Sequence, residues 1–68
     1  MKKFEFYIKD QQQTIRKLVI KNNSNTAKLF KILKYDEVLK LLVVQGNSVK
    51  EITIEKDATN ISVAEVMD

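Results

Sequence analysis

The apolar positions fall into two rhythms. From Lys3 to Lys9 they alternate, with Phe4, Phe6 and Ile8 on one side and Lys3, Glu5, Tyr7 and Lys9 on the other. A period of two is that of a half-buried strand. The polar cluster Asp10-Gln11-Gln12-Gln13 then reads as a connection of hairpin length. Thr14 to Asn22, TIRKLVIKN, is rich in β-branched residues and is expected to be the second strand. Leu18 and Ile20 share a face with Arg16 and match Phe4, Phe6 and Ile8 as a core face. The opposite face carries Lys3, Tyr7, Lys9, Lys17 and Lys21, with two aliphatics, Ile15 and Val19, left exposed among them.

The rhythm changes after Asn22-Asn23-Ser24-Asn25, a run of side chains that can accept from the free N–H groups at a helix start. From Thr26 the spacing fits a helix. Leu29, Phe30, Ile32 and Leu33 fall on one side, and Lys28, Lys31 and Lys34 on the other. This predicts an amphipathic helix over about 25–35. Carried further in the same phase, it would bring Asp36, Glu37 and Lys40 onto the apolar side, so it should break near Tyr35-Asp36.

Beyond the break, VLKLLVVQ reads as a buried strand over about 38–45, with Gly46-Asn47 as a two-residue type II′ turn into the next strand. That next strand, about 48–56, has Ile52 and Ile54 inward and Glu51, Thr53 and Glu55 outward. The alternative makes 36–45 a second helix, capped by Asp36 and ended by Gly46. After a loop at 57–60, the tail alternates as a last strand over about 61–66. A short helix competes with it over 61–67, because Ser62 and Glu65 have capping-box spacing. The expected fold class is α+β: an N-terminal β-hairpin (3–9 and 14–22), one amphipathic helix and C-terminal strands, in a single small domain over 1–68.

Composition bounds what such a domain can be. With 68 residues, 44% apolar and 31% charged, the chain is globular and near the lower limit for a self-sufficient core. There is no Cys to form a disulfide and no His to join a metal site, so a partner chain is the common aid that remains. A homo-oligomer and a well-packed monomer both fit. No apolar stretch approaches the length of a membrane span, and Glu5 and Lys9 interrupt the apolar run a signal peptide needs, so a cytoplasmic protein is expected.

The same inventory argues against catalysis. Without His, the usual neutral-pH base is missing, and Ser24, Ser48 and Ser62 are better explained as caps or turn residues than as nucleophiles. Acids adjoin at Asp36-Glu37 and near Glu55 and Asp57, but a domain this small has little room for a cleft as well as a core. The single glycine, Gly46, excludes a Gly-rich phosphate loop. No enzyme, cofactor, metal or small-molecule substrate is expected.

Charge supplies the positive lead. The net +3 hides a +7 balance over residues 1–34 and a −4 balance over 35–68. A non-enzymatic module contacting nucleic acid, and DNA in particular, is the first expectation. Lys3, Lys9, Lys17, Lys21, Lys28, Lys31 and Lys34 would meet phosphates, with Tyr7 stacking on a base or sugar. A lysine-rich solvated surface is the plainer account of any single lysine, and no helix-turn-helix, zinc-finger, RNA-recognition or KH pattern accompanies the patch. Only one of the basic residues is Arg, which counts against reading of guanine edges. The alternative is a protein-interaction or self-assembling module, with Ile15 and Val19 as its apolar contact.

Overall fold

A computed structural model describes residues 3–10, 16–54 and 60–67. Those residues form six strands and no helix: β1 (Phe4–Asp10), β2 (Arg16–Asn22), β3 (Lys28–Lys34), β4 (Glu37–Val44), β5 (Ser48–Ile54) and β6 (Ile61–Glu65). They make two three-stranded antiparallel sheets, ordered β1-β2-β5 and β4-β3-β6. The chain changes sheet between β2 and β3, between β4 and β5, and again between β5 and β6.

The core lies between the sheets. Leu18, Ile20 and Ile54 from the first sheet meet Phe30, Ile32, Leu42, Val44 and Val63 from the second, and Phe4, Ile8, Ile52 and Ile61 close its sides. The rings of Phe4 and Phe30 sit 5.0 Å apart at 55°, a tilted aromatic pair that joins the two layers. Period two explains these choices: Leu18 and Ile20 share one side of β2, and Phe30 and Ile32 one side of β3.

The α+β expectation is overturned, because the stretch expected to be a helix over 25–35 is β3, the central strand of the second sheet. The seven residues KLFKILK satisfy both periods, since a helix gathers Leu29, Phe30, Ile32 and Leu33 while a strand turns Phe30 and Ile32 one way and Leu29 and Leu33 the other. Pairing decides between them. As a strand, this segment hydrogen-bonds β4 on one side and β6 on the other, and each would lose its only ladder neighbour among the described residues if it were helical. The helical alternatives at 36–45 and 61–67 fail likewise, being β4 and, to Glu65, β6. The break expected at Tyr35-Asp36 is the turn of the β3–β4 hairpin, with Tyr35 at φ 54° and its N–H donating to the Asn60 carbonyl at 3.1 Å.

The strands expected at 3–9, 14–22, 38–45, 48–56 and 61–66 correspond to β1, β2, β4, β5 and β6, save that residues 14–15 and 55–56 lie outside the described ones. The hairpin across Gly46-Asn47 does not form: β4 pairs with β3, and β5 with β2. Gly46 does not have the positive φ of a type II′ turn. It is small for another reason. A Cβ there would lie 2.5 Å from the Asn25 carbonyl carbon and oxygen and 2.8 Å from the Thr26 nitrogen.

The Asn-rich stretch caps no helix either. Asn22 is fully buried, and its Nδ2 donates to the carbonyls of Thr26 (3.0 Å) and Val44 (2.9 Å). Its Oδ1 accepts from the Ser24 N–H (2.9 Å) and the Ser24 hydroxyl (2.7 Å). One satisfied amide therefore holds the β2–β3 crossover against the end of β4.

Candidate functional site

Each sheet has an outer face turned away from the core, and the two faces differ in kind. On the first sheet, cross-strand neighbours form the rows Lys9–Lys17–Thr53, Tyr7–Val19–Glu51 and Glu5–Lys21–Val49. Charges of both signs share this face. Val19 stands at its centre with 3% of its surface exposed, outside the core cluster but covered within the chain itself. Its expected exposure is therefore corrected: it sits on the central strand, and long neighbours such as Tyr7, Glu51, Lys17 and Lys21 flank it on all sides. Ile15, the other expected contact, lies outside the described residues.

The outer face of the second sheet is apolar. Its rows are Val43–Leu29, Leu41–Lys31–Ala64 and Val38–Leu33–Ser62. Leu29, Val38, Leu41 and Val43 are exposed at 37%, 49%, 56% and 47%. Lys31 is half-buried at the centre, and it makes no ion pair among the described residues. No acidic side chain stands in any of these rows. Beside Leu29 the face runs into an open groove lined also by Ala27, Lys28, Glu65, Val66 and Met67, where the Val66 N–H continues the ladder to the Leu29 carbonyl at 2.8 Å.

β4 forms one edge of this sheet, and it carries two features that discourage another strand from adding there. The register shifts between Ile32 and Leu33, so that Ile32 faces Lys40, Leu33 faces Val38, and Leu39 is opposite no residue of β3. This is a bulge, which bends an edge. Lys40 stands next to it, on the core side of the strand like Leu42 and Val44 but exposed. A charge on the inward side of an edge strand must be desolvated when a second strand docks.

The eight expected nucleic-acid contacts do not share one surface. Lys9, Lys17, Lys21 and Tyr7 lie on the outer face of the first sheet, and Lys3 precedes β1, its carbonyl accepting from the Asn23 N–H at 2.9 Å. Lys28 and Lys34 fall on the inward side of β3 at its two ends, where Lys28 lies 3.9 Å from Glu65 and Lys34 lies 5.8 Å from the Tyr35 ring centroid. Lys31 is on the opposite side of that strand. The lysine stripe existed only at a period of 3.6 and is dissolved at a period of two.

Sequence reasoning missed Leu29, Val38, Leu41 and Val43. The signal was the near-continuous apolar run in both β3 and β4, which marks strands apolar on both faces. Among the described residues, no three His, Cys, Asp or Glu side chains converge as metal ligands, and no helix is long and apolar enough to cross a membrane. No family model matches the chain, and no curated protein or solved structure matches it.

Proposed function

We propose that this protein is a non-enzymatic protein-interaction module whose binding surface is the outer face of the β4-β3-β6 sheet. One observation carries the reading: Leu29, Val38, Leu41 and Val43 stand exposed together on a single face of the sheet. Scattered surface aliphatics are ordinary, but a contiguous apolar face on a small protein marks a place where something docks. The cytoplasm is the setting of this reading. Replacing Leu41 by the photoreactive p-benzoylphenylalanine should give discrete protein adducts in cells, and the added substitution Val43→Asp should suppress them. The same photoreactive residue at Tyr7, on the other outer face, should give none. Loss of all adducts from position 41 would remove the proposal.

A second reading keeps the first sheet for nucleic acid. Lys9 lies directly across from Lys17, with Tyr7 two residues along, so one corner of that face concentrates positive charge beside an exposed ring. Glu5 and Glu51 on the same face weaken it. A gel-shift titration at low salt decides: no retardation of duplex DNA ends this reading and leaves the first untouched.

A further inference from the structure

The apolar face has a charge at its centre, and that charge restricts what can cover it. Lys31 has Leu41 and Ala64 directly across the two ladders, and Leu29 and Leu33 two positions away on its own strand. Any partner that covers Leu29 and Leu41 must also cover Lys31. A covered ammonium group without a carboxylate or other acceptor is strongly unfavourable. Among the described residues the face supplies no acid of its own, so the partner must bring one.

That requirement tells against a second copy. Two such faces stacked on one another would bring two Lys31 side chains into one apolar contact with no carboxylate from any row of either face. Growth by strand pairing meets the bulge at Leu39 and the inward-side Lys40 on β4. The occupant therefore lies across the sheet and belongs to a different chain. Three strands place their outer axes about 10 Å apart, which matches the ~10 Å width of one helix laid along them. A helix on an open sheet face is also a standard layer arrangement.

We infer that the outer face of the β4-β3-β6 sheet binds an amphipathic helix of another protein, whose apolar stripe carries an Asp or Glu placed to meet Lys31. This rests on the interaction-module reading above and names the chemistry of its partner.

Panning a phage-displayed random peptide library against the immobilised protein tests it. Enriched peptides should place Asp or Glu among bulky apolar residues at helical spacing. They should lose binding to Leu41→Asp, and Lys31→Glu should weaken them on the order of 30-fold. Panning on Lys31→Glu should enrich Lys or Arg in the same place, and Lys31→Met should favour uncharged peptides. Circular dichroism of each variant, expected to match the parent, separates lost binding from lost folding. Peptides that need Leu41 but ignore the charge at position 31 would overturn the inference and leave the interaction reading standing. Peptides indifferent to Leu41→Asp, or no enrichment at all, would overturn the inference, while adducts from position 41 would still uphold the broader reading. A dimer in light scattering that Leu41→Asp dissociates would assign the face to a second copy. Sedimentation with phosphatidylglycerol vesicles, abolished by Leu41→Asp, would assign it to lipid. Either result overturns the inference.

Discussion

The side-chain amide of Asn22 reaches across from the first sheet to the backbone carbonyl of Val44 at 2.9 Å, so the end of β2 is tied to the end of β4 by a residue with no exposed surface. The same side chain serves Thr26 and Ser24. Substituting Asn22→Leu would fill similar space but take the side-chain partner from the Val44 carbonyl and the Ser24 N–H, while the Thr26 carbonyl keeps the Ser24 hydroxyl at 2.9 Å. A loss of about 2–4 kcal/mol is expected in urea unfolding, since each buried polar group left without a partner costs about 1–3 kcal/mol. Asn22→Asp keeps the acceptor oxygen, removes both donated bonds and buries a charge. It should unfold at still lower urea.

Gly46→Ala is expected to destabilise although glycine is ordinarily the weaker residue. The new methyl would need the Asn25 carbonyl, 2.5 Å away, to move, and that backbone is held by the Asn47 N–H bond to the Ser24 carbonyl at 2.8 Å. Overpacking of this kind costs about 1–3 kcal/mol. A thermal melt of the variant measures it.

Lys9 and Lys17 face each other in the β1–β2 ladder. Like charges directly opposite are unfavourable, so Lys9→Glu should raise stability by about 0.2–1 kcal/mol at low salt, with the gain fading as salt is added. If the outer face of the first sheet holds DNA through four phosphates, log affinity falls against log salt with a slope of about −3.6, and this same substitution should flatten it by about 0.9. Stability and binding would then move in opposite directions.

Lys40→Val should release the edge of β4. With the inward-side charge gone, strands Glu37–Val44 of two chains can approach, and light scattering should show species that grow with concentration while the parent protein stays smaller under the same conditions. Lys40→Glu, which keeps a charge at that position, should behave like the parent.

Val19→Lys separates what was legible in the sequence from what was not. On the alternation of TIRKLVIKN alone, Val19 is an exposed aliphatic, and a lysine there should do little harm. At 3% exposure it should instead unfold the protein. The alternation correctly placed Leu18 and Ile20 on the core side, because that inference needs only the period. It could not tell how far neighbours on adjacent strands cover the other side, because coverage depends on β5, whose pairing with β2 is written in no local signal. KLFKILK failed for a related reason. Its outward Leu29 and Leu33 are explained by an unpartnered face, and a reading that sends every apolar residue inward turns that face into the stripe of a helix. The candidate site was hidden by the assumption that apolar means core.

The three changes of sheet set the order in which this chain can become a protein. The hairpins β1–β2 and β3–β4 have their halves next to each other in sequence and can zip as soon as they are made. The third strand of each sheet comes last: β5 from Ser48 for the first, β6 from Ile61 for the second. Until then Leu18, Ile20, Phe30 and Ile32 each lack one flank of their enclosure. Chains that stop short of Ile61 should therefore carry sticky half-sheets, and folding should arrive as a single late event limited by distant strand meetings rather than by local structure.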